Sequence, residues 1–280
     1  MKNYLNLLLA QDHPLRFALS RVLMASGLSS FLILDRGRFR MKFFPTPTLA
    51  LVWMNSAYKR PEEDFFVRYL RPGDAVVDAG ANVGYLSLLS ASIVGDQGRV
   101  ISIEAHPRIF SYLDRNITLN RFRNVRCVHA ALSDIAGSIQ FSDKRWDELN
   151  SVVPDENGKS GLAIPALPLD LILTDSAAIH LLKVDVEGFE ERVFLGSPRA
   201  LTRTQCIYFE YEPENYARLG SDLSRLIDVL SNAGFRVYRF TAPARLTRLR
   251  QPISTRSKED LVAVRDLAQF VERTSYAVDE

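Results

Sequence analysis

The chain has 280 residues, 47% of them hydrophobic, which is enough for a large folded core and excludes large-scale disorder. Its formal net charge of +2 is too small to indicate a nucleic-acid-binding surface, which needs concentrated positive charge. The two cysteines, Cys127 and Cys206, lack the spacing of a zinc site or of a disulfide framework.

Residues 1–58 are predicted to form an N-terminal cap of helix and β pieces outside the core domain. The first 30 residues have the pattern of an amphipathic helix, and β segments are predicted at 31–34, 39–44 and 49–53. The apolar run from Leu5 to Ala10 is too short to cross a bilayer and precedes no cleavage pattern. We therefore expect a cytoplasmic protein without a transmembrane segment, although loose membrane contact by the first helix stays open.

Residues 59–280 are predicted to form a single α/β domain, because strands and helices alternate as in a mostly parallel sheet. The predicted strands are 75–79, 99–104, 125–130, 180–186, 205–211, 235–240 and 260–265, and the predicted helices are 61–70, 83–94, 107–119, 169–174, 189–195 and 221–233. Residues 133–159 are expected to be surface loop with one short strand at 138–141. Only the basic loop 241–258 joins the last two strands, so the final strand should run antiparallel. The predicted fold is Rossmann-like, with seven strands.

The loop after the first of these strands has the pattern of a nucleotide-cofactor site. The strand ends in Asp78, and glycines at positions 80 and 84 precede a helix whose first amides can donate to a ligand. Glu104 ends the next strand, where an ionised carboxylate could accept from both hydroxyls of a ribose. The sequence therefore predicts a cofactor site here, with an ordinary βα turn as the alternative.

The same loop favours one cofactor over another. A dinucleotide site needs a third glycine for the pyrophosphate, which is missing, and Asp78 would repel phosphate but attract the cationic groups of S-adenosylmethionine. The residues assigned to this cofactor are Asp78, Gly80, Asn82, Gly84, Tyr85 and Glu104. Tyr85 is expected to cover the methionine moiety, unless its ring belongs to the core.

Charged residues also interrupt two strands that should be apolar. Period-2 geometry places Lys183, Asp185 and Glu187 on one side of the strand at 180–186. In the next strand, Glu210 shares a face with Tyr208. Both strands lead to the carboxyl edge of the sheet, where these acids should meet Asp78 and Glu104 around one crevice. A purely structural ion pair with Lys183 is the alternative.

The chain resembles the FkbM family of S-adenosylmethionine-dependent methyltransferases over roughly residues 60–240. The pieces that carry the resemblance are 77–84, 104–107 with Asn116 and Asn120, 131–134, 169–170 and, most specifically, the run from Lys183 to Glu190. Ala105 departs from the proline usual after the ribose acid. The resemblance implies a class I methyltransferase fold and assigns Ser133 and Asp134 to the cofactor.

The resemblance also implies methyl transfer to oxygen, in a small-molecule or in a glycan- or lipid-linked hydroxyl acceptor. Asp185 or Glu210 is then expected to be the base or substrate orienter, with Glu187 next and Lys183 holding the charge of the cluster. A divalent metal on these three acids is chemically reasonable, but no diagnostic loop accompanies them, so we predict none.

Two other functions stay open at this stage. A nucleotide-dependent oxidoreductase is disfavoured by the missing third glycine and by the absence of a second dinucleotide-binding half. A methyltransferase-like binding or scaffold protein without activity is disfavoured because Asp78, Glu104 and the pair Asp185 and Glu187 are all present. No nucleic-acid partner is expected.

Overall fold

A computed structural model describes residues 13–55, 58, 60–142, 152, 161–250 and 257–280, so the first twelve residues of the predicted N-terminal helix lie outside it. The helices are α1 Pro14–Ser26, α2 Pro47–Met54, α3 Arg60–Tyr69, α4 Tyr85–Val94, α5 Pro107–Asn120, α6 Leu169–Ile172, α7 Glu190–Leu195, α8 Pro198–Thr202, α9 Pro213–Arg218, α10 Leu223–Asn232 and α11 Leu267–Thr274, with a 3₁₀ helix at Leu28–Phe31. The strands are β1 Ile33–Asp35, β2 Arg40–Lys42, β3 Ala75–Ala79, β4 Arg99–Glu104, β5 Val125–His129, β6 Ala131–Leu132, β7 Gly137–Phe141, β8 Leu162–Leu167, β9 Ile179–Val184, β10 Thr204–Tyr211, β11 Arg236–Ala242, β12 Arg245–Arg248, β13 Glu259–Val264 and β14 Ala277–Asp279. None of the described helices combines the length and the apolar composition that crossing a bilayer requires.

The main sheet has nine strands in the order β14-β12-β11-β13-β10-β9-β3-β4-β5. The five strands from β10 to β5 are parallel, and β13 runs antiparallel to both of its neighbours. The seven predicted strands therefore lie in the order 3-2-1-4-5-7-6, with the last one antiparallel. The predicted Rossmann-like, class I methyltransferase architecture is confirmed, and β12 and β14 extend one edge beyond it.

The position of β3 in this order creates a ligand crevice. Alternate side chains of β3 enter the two cores on opposite faces of the sheet, Val76 on one face and Val77 on the other. From β3 the chain continues through β4 and β5 on one side and returns to β9 on the other side. Such a reversal of strand order leaves an opening at the carboxyl ends of the strands.

The N-terminal cap packs on one face of the sheet. Met41, Phe43 and Leu49 are fully buried in the same core as residues of β3 and α4. Two asparagines of α5 bind the backbone of β2: the Asn116 carboxamide oxygen accepts from the Lys42 amide at 2.9 Å, and that of Asn120 accepts from the Arg40 amide at 2.8 Å. These bonds satisfy polar groups of a short strand that has only β1 as its partner.

Two local predictions were wrong, and one strand that pairs with a predicted strand was missed. Residues 49–53, predicted as β, lie in α2, because the Thr46 hydroxyl accepts from the Leu49 amide and Pro47 occupies the first turn. The strand predicted at 180–186 ends at Val184, so Asp185 and Glu187 lie in the following loop. The strand near 138–141 pairs with the unpredicted β8, which also pairs with β6.

Candidate active site

A crevice of about 560 Å³ opens at the carboxyl ends of β3, β4, β9 and β10. Nine of the twelve predicted site residues line it: Asp78, Gly80, Asn82, Tyr85, Glu104, Lys183, Asp185, Glu187 and Glu210. We call residues 78–85 with Glu104 the loop end of the crevice. Asp185, Glu187 and Glu210, with Lys183 and Lys258, form its carboxylate end.

At the loop end, Glu104 is held by backbone amides. One carboxylate oxygen accepts from the Asn82 amide at 2.9 Å, and the other accepts from the His106 amide at 2.8 Å. Burial raises the pKa of Glu104 to about 7 although both amides oppose the rise. A carboxylate has about four acceptor positions, so Glu104 retains capacity for ligand hydroxyls while its orientation is already set.

The two loop glycines are required by the chain itself. Gly80 has φ +75°, and a β-carbon there would overlap the carbonyl oxygen of Asp185. Gly84 has φ +91°, and a β-carbon there would lie 2.7 Å from the side chain of Leu113. Contacts within the chain and a positive φ therefore account for glycine at position 80, while at position 84 a larger residue would also have to displace the Leu113 side chain.

Lys183 joins the two ends of the crevice. Its ammonium group donates to the carbonyl oxygen of Gly80 at 2.8 Å and lies 3.3 Å from Asp78 and 3.5 Å from Asp185. The Asp78 oxygen nearest Lys183 forms an ion pair whose geometry does not meet the criteria for a hydrogen bond. The other oxygen of Asp78 accepts from the Ser87 hydroxyl at 2.5 Å. Although burial opposes it, the two carboxylates raise the pKa of Lys183. Asp78, which was expected to face a cationic ligand, therefore shares the positive charge of Lys183 with Asp185.

The carboxylate end concentrates negative charge. One oxygen from each of Asp185, Glu187 and Glu210 lies within 4.8 Å of the others. Burial and the Asp185 charge raise the pKa of Glu187 to about 7 and that of Glu210 to about 9. Glu187 and Glu210 therefore hold protons at neutral pH more strongly than ordinary carboxylates do.

Two residues outside the predicted set balance this charge. The Lys258 ammonium lies 2.6 Å from a Glu210 oxygen, and the Asn215 carboxamide donates to Glu187 at 2.8 Å. Lys258 belongs to the basic stretch noted in the sequence, but nothing local marks it as the member that contacts an acid. Asn215 lies on α9, whose start is marked by Pro213 after Glu212.

The carboxylate end is also the one group of the described residues with the geometry of a metal site. Three carboxylate oxygens suit Mg²⁺ or Ca²⁺, whereas Lys258 already supplies a positive charge to Glu210. The prediction that no metal is bound stays a prediction.

The other three predicted residues do not reach the crevice. Gly84 lies at the start of α4 against α5. Ser133 and Asp134 line a different concavity, because the chain after β5 turns away through β6, and Asp134 pairs with Arg192 at 2.7 Å. Their position does not support the assignment of these residues to the cofactor.

Tyr85 lines the crevice but is also tied to the cap. Its hydroxyl donates to the Glu63 carboxylate, its ring packs edge-on against Phe39 at 5.2 Å, and Arg36 pairs with Glu63 at 3.2 Å. Burial and the Glu63 carboxylate raise the pKa of the Tyr85 hydroxyl. Both expectations for this ring, a crevice wall and a core position, therefore describe part of its surroundings.

Comparison with known proteins places this site in a family context. The profile described as "Methyltransferase FkbM domain" matches residues 78–237, more than half of the chain. The chain is 26% identical over 129 residues to the "Probable cobalt-precorrin-6B C(15)-methyltransferase (decarboxylating)" of Sulfolobus acidocaldarius, covering 43% of this chain and 65% of that protein. It is 36% identical over 75 residues to the protein-L-isoaspartate O-methyltransferase of Methanothrix thermoacetophila, covering 27% and 33%. The chain thus spans less than two thirds of the length of these curated relatives.

Two solved structures that align with this chain are named as methyltransferases. One is the methyltransferase FkbM from Methylobacillus flagellatus KT, with 18% identity, a TM-score of 0.45, and coverage of 77% of this chain and 53% of that one. Another is the precorrin-6y C5,15-methyltransferase from Geobacter metallireducens GS-15, with 13% identity, a TM-score of 0.43, and coverage of 75% and 89%.

Proposed function

The chain belongs to the FkbM family of methyltransferases, and on that premise we propose that it transfers a methyl group from S-adenosylmethionine to a hydroxyl oxygen of a sugar, glycolipid or secondary metabolite. The observation that supports this reaction best is the carboxylate end, which brings three acids together in the crevice that also contains Glu104. A hydroxyl gives up its proton when it is methylated, and a carboxylate beside it can accept that proton.

The loop end has the donor and acceptor set that S-adenosylmethionine requires. Glu104 presents spare acceptor positions for ribose hydroxyls, and Asn82 and His106 hold it in place. At the opposite end Asp185 lines the same crevice with a side chain that is 33% exposed, and an ionised carboxylate there would favour a cationic ligand. Bound there, the cofactor would supply a methyl group on a positively charged sulfur, activated for attack by oxygen.

Asp185 is the acid best placed to take the hydroxyl proton. Its side chain is 33% exposed, against 12% for Glu210. Glu210 and Glu187 each have an oxygen engaged, by Lys258 and Asn215 respectively. Lys183 anchors the Asp185 carboxylate from the buried side at 3.5 Å. We therefore assign proton acceptance or substrate orientation to Asp185.

The test begins with identification of the acceptor. Methyl-labelled S-adenosylmethionine is incubated with the protein and a fractionated extract of the source cell, and the labelled product is identified. With that acceptor, we expect Asp185→Asn to lower kcat by about 10²–10⁴ while the affinity for S-adenosylhomocysteine changes little, because the amide keeps the shape but removes the charge. Asp114→Asn, at an exposed position of α5, is the matched control and should retain normal turnover.

Chelation separates the base from the metal-ligand role. If the wild type remains active after exhaustive EDTA treatment while Asp185→Asn is nearly inactive, the assignment stands. If EDTA alone abolishes activity and Mg²⁺ or Mn²⁺ restores it, Asp185 is a metal ligand. Full activity of Asp185→Asn would leave only a structural pairing with Lys183.

A further inference from the structure

The outward face of α1 is unusually apolar for a surface helix. Twelve large hydrophobic side chains are exposed in the described part of the chain, and seven of them lie between residues 15 and 33. Leu15, Leu19 and Val22 of α1 are 86%, 49% and 63% exposed, and Phe31, shortly after the helix, is 81% exposed. Scattered exposed hydrophobic residues need no explanation, but such a concentration marks an interaction surface.

This face is not needed to attach the helix to the protein. Phe17 and Ser20 are buried, and Met24 packs against the core, so the inward face of α1 is already occupied. At about 100° per residue, the exposed residues Leu15, Leu19 and Val22 share the opposite face. The helix is therefore apolar on both sides, with one side covered by the cap and the other exposed.

The segment that carries the exposed apolar face is rich in basic residues. Between residues 13 and 55 the chain has six arginine and lysine residues against one aspartate, whereas the whole chain has an excess of only two positive charges. On a helical wheel Arg16 is exposed beside the apolar face, whereas Arg21 is turned toward the inward face, where its guanidinium lies over the ring of buried Phe17. Arg38 and Arg40 add exposed positions on the adjoining segment. Two copies of this surface would repel each other, which disfavours self-association through it.

We propose that the cap binds the surface of an anionic lipid bilayer, with α1 lying in the plane of the interface. An apolar helix face bordered by basic residues is the pattern of interfacial helices, whose apolar side chains enter the acyl boundary while arginines contact lipid phosphates. This inference does not depend on the proposed methyl transfer, because it rests on the cap and not on the crevice.

Sedimentation with lipid vesicles tests the proposal. The full chain is mixed with vesicles of phosphatidylcholine alone and of phosphatidylcholine with phosphatidylglycerol, and the bound fraction is measured. We expect binding to the anionic vesicles and little to the neutral ones. The triple variant Leu15→Gln, Leu19→Gln, Val22→Gln should lose affinity on the order of a hundredfold. The pair Arg16→Gln and Arg38→Gln should lose roughly tenfold or more, and only on anionic vesicles.

A matched control removes three exposed hydrophobic residues from outside the cap. Ile135→Gln, Leu171→Gln, Leu195→Gln should bind vesicles as the wild type does, and circular dichroism confirms that each variant is folded. Absence of wild-type binding to anionic vesicles overturns the proposal, as does full binding by the folded α1 variant. A wild-type dimer that the α1 variant abolishes, without lipid binding, would assign the surface to a second copy of the chain instead.

Discussion

The two ends of the crevice use carboxylates in opposite ways. At the loop end a single acid, Glu104, is fixed by two backbone amides before any ligand arrives. At the carboxylate end three acids lie within 4.8 Å of one another, and their mutual repulsion is only partly offset by Lys183 and Lys258. The first arrangement orients an acceptor of hydrogen bonds, whereas the second raises proton affinity.

This difference separates binding from chemistry. An oriented acceptor contributes to affinity because little side-chain freedom is lost when the ligand binds. A cluster of like charges contributes to proton transfer because it brings the pKa of a carboxyl group toward the operating pH. The two functions meet where the loop after β3 touches the loop after β9, at Gly80 and Asp185.

Substitution at that meeting point should have the largest effect. Gly80→Ala would place a β-carbon against the Asp185 carbonyl and force alanine to a φ of +75°, so we expect a loss of about 3 kcal/mol or more of stability. Gly73→Ala is the control, because Gly73 has φ +89° with nothing within 4 Å of an added β-carbon and should lose only about 1 kcal/mol. Chemical denaturation compares the two. Equal stabilities would show that the contact with Asp185 is unimportant.

The next largest effect is expected from substitution of Glu104 at the loop end. Glu104→Ala removes the acceptor for ribose hydroxyls and leaves the amides of Asn82 and His106 unpaired, so we expect the Kd for S-adenosylhomocysteine to rise on the order of a hundredfold. Calorimetry measures this Kd. Asp185→Asn is the control variant, because it should bind S-adenosylhomocysteine nearly normally. Wild-type affinity in folded Glu104→Ala would disprove the assignment.

How much of the fold the sequence predicts depends on how local the signal is. The five parallel strands β3, β4, β5, β9 and β10 were predicted, although the predicted β9 extended two residues past its end at Val184. Strands β12 and β14 are short and half polar, and β12 pairs with β14 about thirty residues away, with Arg245 and Asp279 in contact at 3.0 Å. No periodicity within four residues can indicate such a distant partner.

The candidate site shows the same limit. Acids at strand ends are predictable because parallel strands bring their carboxyl ends to one edge. Ser133 follows a strand in the same way, but β6 directs the chain into another sheet. The contact of Lys258 with Glu210 depends on how β13 pairs with β10, which a sequence pattern does not contain.

A smaller effect is expected from substitution of Lys258 at the carboxylate end. Lys258→Met removes the cation that favours ionised Glu210, so protons should bind the cluster more tightly and the acidic limb of the kcat profile should move up by about one pH unit. Activity measured across pH with the identified acceptor tests this shift. An unchanged or lowered midpoint would mean that Lys258 does not control the protonation that limits turnover.

The smallest effect concerns Glu190, a buried acid that accepts from a backbone amide, as Glu104 does, but lies outside the crevice. One of its oxygens accepts from the Val186 amide at 2.9 Å, and burial raises its pKa from 4.5 to about 7. Between these two values the folded protein binds more protons than the unfolded chain, so this group lowers stability as the pH rises. Glu190→Gln keeps the acceptor without the charge, and we expect it to be more stable than the wild type by about 1 kcal/mol, or about 2 °C in Tm, above pH 7. The advantage should disappear near pH 4.5, where the wild-type carboxyl is protonated in the folded state. Thermal melts of both proteins across this pH range test the prediction. A stability difference that does not vary with pH would mean that the charge of Glu190 does not destabilise the folded protein.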